Sequence, residues 1–255
     1  MKVYSFLFLC ILLSVFSCDT KTEETSSDAT ADSLHTEEVE DTVRFEGVTD
    51  STSFHIGNKQ FEITPSTRAA FDAVKSSMNT MDTSEAKRIK KQSEFVSRKG
   101  DSLLFKCANN EPAYLINNPD SDSDDFASYS FIQDMPEIGQ WLIMGSYYES
   151  YGYVFIDKNT GESTELYGMP VVSPDKKYIV TFNQDLQAGF TFNGFQLFEI
   201  IDAKPVLLGA KELNSWGPDN LKWKDANTLL VQQAFAKFDE GEQDLITKYV
   251  QINVK

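Results

Sequence analysis

The sequence predicts a mainly β fold, an antiparallel meander of short strands with one or two helices near the start of the globular part. An α+β sandwich is the alternative. Three observations carry this. Aromatic residues make up 13% of the chain, with 19 Phe and 10 Tyr, and such side chains suit a pleated, half-buried surface. After Gln92 apolar residues alternate with polar ones in short runs, the period of a strand with one buried face. Clusters of Gly, Pro, Asn and Asp separate those runs, as turns do.

Three segments divide the chain: residues 1–17, 18–41 and 42–255. The first has Lys2 as its only charge, followed by an apolar run from Val3 to Phe16 interrupted by Ser5 and Ser14. That is the length of a signal-peptide apolar region and shorter than the roughly 20 residues of a spanning helix. The run ends in Val15-Phe16-Ser17-Cys18. These residues resemble the lipobox of bacterial lipoproteins, although Phe16 is bulky for its place. The resemblance implies cleavage before Cys18, lipidation of its thiol, and anchoring in the outer membrane, on the periplasmic face or the cell surface. An ordinary secretory signal and an uncleaved anchor are the competing readings.

Residues 18–41 form an acidic tether of Thr, Ser, Ala, Asp and Glu without an aromatic residue. Such a composition buries too little apolar surface to offset the entropy of ordering. Of the chain's net charge of −16, much sits here, since residues 18–50 hold eleven acids and two bases. An acidic chain repels nucleic acid and anionic lipid, so neither is expected to bind electrostatically. Asp19, Glu23 and Glu24 resemble the acidic export tag of surface-exposed lipoproteins. Asp32-Ser33-Leu34 and Asp41-Thr42-Val43 resemble O-glycosylation sites of exported bacterial proteins.

Residues 42–255 are expected to form one globular domain. Phe54/Ile56 and Phe61/Ile63 alternate around Gly57-Asn58-Lys59, a hairpin signal that points His55 outward. A helical insert follows at about 65–92. Thr64-Pro65 reads as its start, with Phe71, Val74, Met78 and Met81 at helical spacing. Asp82 and Glu85 suggest a capping box for a second helix, with Ala86 and Ile89 inward and the basic cluster Lys87, Arg88, Lys90 and Lys91 on its solvated face. Strands are then expected at Phe95–Ser97, Leu103–Cys107 and Ala113–Asn117, and as pairs at Trp141–Tyr148 with Tyr151–Asp157. Further on they fall at Tyr178–Phe182 with Phe190–Ile201, and at Leu221–Trp223, Thr228–Phe235 and Leu245–Val254.

In the second half, Ser173-Pro174-Asp175-Lys176-Lys177-Tyr178 and the looser Trp223-Lys224-Asp225-Ala226-Asn227 resemble blade turns of TolB-like β-propellers. The resemblance implies an irregular, propeller-like form of the meander. About fifteen strands are legible, against about sixteen for a closed ring of four-stranded blades.

Chemistry is sparse. With only His35 and His55, Ser-His and Cys-His catalysis have at most one plausible base. No zinc-spaced cluster, phosphate-binding glycine loop or dinucleotide fingerprint occurs, so no catalytic residue and no cofactor is assigned. Cys107, the thiol left once Cys10 departs with the leader and Cys18 is lipidated, has no disulfide partner in the chain and is expected to be buried. Asp120, Asp122 and Asp124 have the spacing of a Ca²⁺ loop but lack its glycine and distal glutamate. Tyr147, Tyr148, Tyr151 and Tyr153 crowd one hairpin, and alternate strand residues cannot all face inward. They are the candidate ligand-binding residues, for a protein or glycan partner. The expected function is therefore a lipid-anchored binding or scaffold module of the envelope. A carboxylate-dependent hydrolase of envelope or extracellular polymers is the alternative, marked by two acids about 5–9.5 Å apart in a cleft.

Overall fold

The computed structural model describes residues 52–75, 84–120, 125–239 and 242–255. The leader, Cys18 and the tether therefore lie outside the described residues, as do Met78, Met81, Asp82, Asp122 and Asp124. The fold is mainly β, with four antiparallel sheets and two short helices. The hairpin β1 (Ser53–Ile56) and β2 (Lys59–Pro65) precedes α1 (Arg68–Ala73) and α2 (Glu85–Lys91). The first sheet is then β3 (Val96–Lys99), β4 (Ser102–Lys106) and β5 (Pro112–Ile116). The second is β6 (Ala127–Met135), β7 (Gln140–Tyr147), β8 (Ser150–Asp157) and β9 (Ser163–Leu166). The third is β10 (Val171–Val172), β11 (Tyr178–Asn183), β12 (Gly194–Ile201) and β13 (Lys204–Glu212). The fourth takes β14 (Gly217–Trp223), β15 (Thr228–Asp239) and β16 (Glu242–Val254), and is completed by the N-terminal hairpin in the order β1-β2-β16-β15-β14.

Period-2 alternation decides how the sheets stack. On β7 and β8, Trp141, Ile143, Val154 and Ile156 face the first sheet and pack with Val96, Leu103 and Phe105. Their neighbours Leu142 and Phe155 face the other way, onto Ile179 and Phe198 of the third sheet. On the third sheet Val180, Phe195 and Leu197 turn to the fourth, meeting Leu221, Leu229, Val231 and Ile252. Each middle sheet is thus buried on both faces, and consecutive sheets lie face to face. Trp223 adds a polar tie between the third and fourth sheets, donating its indole N–H to the Val171 carbonyl at 3.0 Å. Trp216 and Trp223 are both buried core residues. The two turns that resemble propeller motifs occupy equivalent places, between the first and second strands of the third and fourth sheets.

Several local expectations need correction. Thr64 and Pro65 end β2 rather than start a helix, because β16 pairs with β2 as far as Val250↔Pro65. The true N-cap is Thr67, whose hydroxyl accepts from the Ala70 N–H at 3.1 Å, and α1 stops at Ala73, short of Val74. In α2 the N-cap is Ser84 without a side-chain cap bond, and Ala86 is exposed. Arg88 is not merely solvated, since its Nε donates to the Phe131 carbonyl at 2.8 Å. β14 opens with Gly217-Pro218-Asp219-Asn220 and carries a bulge between Pro218 and Asn220. Phe190 to Asn193 precede β12 as loop.

Candidate functional site

The tyrosine-rich hairpin closes β7 onto β8 with Tyr147 opposite Ser150. Glu149 at the tip is left-handed, φ 57°, a region that normally takes Gly or Asn. The four tyrosines divide by face, as alternation requires. Tyr147 shares the face that meets the first sheet, and its ring covers the cross-strand pair Gly145↔Gly152. A Cβ on Gly145 would stand 2.4 Å from the Tyr147 hydroxyl, so any larger residue there forces the ring to shift. Tyr129 meets Tyr147 edge-on at 6.1 Å. Burial, then the neighbouring Tyr129 hydroxyl and the Glu165 carboxylate, push the Tyr147 phenol up to about 12. Tyr153 faces the third sheet, its phenol also raised by burial and then by Tyr151. Tyr151 meets it edge-on at 6.4 Å. Tyr147 and Tyr153 are therefore half-buried supports, whereas Tyr148 and Tyr151 remain 48% and 57% exposed.

Two further connections deliver aromatic residues to the same end. Leu166 pairs with Tyr153, so the chain leaving β9 emerges beside the hairpin and carries the exposed Tyr167. The Tyr167 backbone N–H is held by the buried Gln196 side chain at 3.2 Å, and its ring stacks on Phe192 at 4.2 Å. Phe192 belongs to the β11–β12 loop, whose Phe190 is 65% exposed. Asp185 shapes that loop, accepting from the Gly189 and Thr191 N–H groups and the Thr191 hydroxyl at 2.9, 2.6 and 2.8 Å. Burial alone would raise the Asp185 carboxyl, but bonds from Thr191, Gly189 and Phe190 hold it below the usual range. Sequence reasoning missed Tyr167, Phe190 and Phe192 as site residues, since the first stands outside any alternating run and the others read as strand. The acidic loop comes to this end too, because Asn118 bridges to Ala127 and Ala127 pairs with Tyr147. Asp120 is exposed there. No group of three His, Cys, Asp or Glu among the described residues could hold a metal ion.

A second feature lies at the opposite end of β7 and β8. A pocket of about 330 Å³ between the first and second sheets is lined by Phe95, Lys106, Cys107, Asp134, Trp141 and Lys158, among others. Lys158 ion-pairs with Asp134 and stands 5.7 Å over the Trp141 ring. The Trp141 indole N–H is buried without an acceptor. Cys107 is buried as expected. Burial raises its thiol, the Ala113 backbone bond opposes this, and Asp157 adds to the rise. In an adjoining depression of about 410 Å³, Glu94 and Glu111 stand on the rim, both exposed to solvent rather than set in an apolar wall. His55 is exposed on β1, as the hairpin pattern predicted.

Compared with protein-family models and with curated proteins, the sequence matches none.

Proposed function

We propose that this chain is a lipid-anchored lipoprotein of the bacterial outer membrane that serves as a binding or scaffold module, with its aromatic end as the contact face. Cys18 carries the lipid and the acidic tether holds the domain off the membrane, on the periplasmic face or the cell surface. The observation that carries the binding part is the gathering of Tyr148, Tyr151, Tyr167 and Phe190 at one end by three successive connections, all of them exposed. Exposed aromatics concentrate binding energy at protein interfaces and stack on sugar rings. Here two of them are braced by a second ring, Tyr151 by Tyr153 and Tyr167 by Phe192, so these two lose little side-chain freedom on binding. The partner is accordingly a protein or a glycan.

Neither of the two pockets described above favours the hydrolase reading. The pocket beside Trp141 holds one carboxylate, already ion-paired, and the acids of the adjoining depression are solvated. The test is capture from cross-linked envelopes with wild type and with Tyr148→Ser/Tyr151→Ser. A specific protein or glycan held by the wild type and lost from the double variant is expected. Equal capture by both, or no specific partner, would overturn the assignment.

A further inference from the structure

The aromatic end is one-sided in charge, and that separates a protein partner from a glycan. The connections that build it in the second and third sheets, residues 147–150, 167–170 and 184–193, carry Glu149 and Asp185 and no Lys or Arg. Glu165 of β9 stands beside them, close enough for its carboxylate to raise the Tyr147 phenol. The loop from β5 to β6 adds the exposed Asp120 and Asp125. On the flanking elements Lys99 is offset by Asp101, and Lys211 by Glu212. Asp185 is engaged in its own loop, but Glu149 and Glu165 are exposed and pair with no described residue. Three of the nearby amides that could serve sugar hydroxyls are held within the fold. Asn183 donates to the Thr191 hydroxyl and the Phe192 carbonyl, Asn193 to the Leu213 and Trp216 carbonyls, and Gln196 to the Glu165 carbonyl. The face therefore offers mainly rings and unpaired carboxylates.

We propose that the aromatic end binds a basic, arginine-bearing segment of a partner protein, its guanidinium groups lying on Tyr148, Tyr151 and Phe190 and pairing with Glu149 and Glu165. The inference rests on the aromatic end being the contact face, and it names the partner. A guanidinium stacks on an aromatic ring while its N–H groups reach a carboxylate, and Glu149 lies at the hairpin tip between the two exposed tyrosines. A neutral sugar would stack on the same rings but gain nothing from the two free charges. The chain's net charge of −16 attracts a basic partner at longer range and speeds encounter.

The probe is a tetra-arginine peptide with alternating glycines; its glutamate counterpart and maltohexaose are the controls. In the ¹⁵N-labelled full chain in nonionic detergent micelles, the backbone N–H resonances of Tyr151, Tyr167 and Gly189 report on the face itself, apart from any attraction to the acidic tether. The arginine peptide is expected to shift them saturably, and both controls far less. Glu149→Gln/Glu165→Gln, at two exposed positions, should weaken the peptide by roughly fivefold at these resonances, as expected for loss of two surface ion pairs. Tyr148→Ser/Tyr151→Ser should weaken it as well. No saturable shift at these amides, an equal response to maltohexaose, or unchanged affinity in the acid variant would overturn the proposal. In envelope capture, a partner lost from the tyrosine variant but held fully by the acid variant would overturn this inference and leave the contact face standing. Equal capture by wild type and tyrosine variant would remove both.

Discussion

Replacing Glu85 with alanine should unlatch α2 from the sheets it spans. The Glu85 carboxylate accepts from Arg98 Nε and Nη2 at 2.8 and 2.7 Å, and from the Phe131 backbone N–H at 2.7 Å. It therefore joins the helix, β3 of the first sheet and β6 of the second. Both side chains of the ion pair are about a quarter exposed, 24% and 22%. That places the pair between solvent-exposed bridges, worth under about 1 kcal/mol, and fully buried ones, whose breaking costs about 3–5. We take about 2 kcal/mol for the pair and about 1 for the orphaned Phe131 N–H. The total of about 3 kcal/mol corresponds to a fall of roughly 6–12 °C in Tm for a domain of this size. Alanine's helix propensity works the other way by a few tenths of a kcal/mol, which makes a large loss more telling. Urea unfolding of wild type, Glu85→Ala, Glu85→Gln and Arg98→Met measures it. Glu85→Gln keeps an acceptor for Phe131 and should lose about half as much. The double variant Glu85→Ala/Arg98→Met should be non-additive by over about 1 kcal/mol. A Glu85→Ala loss within about 0.5 kcal/mol of zero, or strict additivity, would refute the latch.

Other predictions concern separate parts of the molecule. Because the folded Tyr147 phenol titrates at about 12, above its unfolded value near 10, its contribution is full below pH 10 and is lost as pH rises toward 12. Tyr147→Phe should flatten that alkaline fall in unfolding curves. Gly145→Ala should cost about 1–3 kcal/mol by displacing the ring, visible as a lower midpoint in urea. The Asp185 carboxyl is held low by its loop bonds, so its support exists above the unfolded carboxylate range and disappears as pH falls through its folded value. Hydrogen exchange of Gly189 and Thr191 should accelerate in acid, and in Asp185→Asn at neutral pH. Buried Cys107 should resist alkylation in the native protein and react at once in denaturant, which mass spectrometry reads. Radiolabelled palmitate should enter the wild type and be absent from Cys18→Ser.

The strands with clean alternation were legible. Trp141 to Tyr148 and Tyr151 to Asp157 differ from the observed β7 and β8 by a residue at most at each end, because a short apolar run bounded by turn residues marks a strand buried on both faces. β6 was not legible, since Phe131 and Ile132 are buried in different cores on its two faces and a bulge between Phe131 and Gln133 breaks the period. β9, β10 and β13 escaped too. The first two are short, and Val206 and Leu207 of β13 are exposed side by side, which carries no period. Glu85 looked like a helix cap in the local sequence, but its partners are 13 and 46 residues away, beyond any local signal. The same limit applies to the site. The hairpin tyrosines announce themselves by proximity in the chain, whereas Tyr167 and Phe190 join them only through sheet stacking. The pocket at Trp141 draws Phe95, Lys106 and Lys158 from separate strands and turns, so no spacing rule could assemble it.

The most direct test of the binding face is photo-cross-linking in intact envelopes from a benzophenone amino acid placed at Tyr151, with Lys177 as the control. Lys177 has a side chain 71% exposed and sits in the β10–β11 turn at the opposite end of the third sheet. A discrete cross-linked species is expected from position 151 and none from position 177. Cross-links from 177 alone, from both positions equally, or from neither would contradict it.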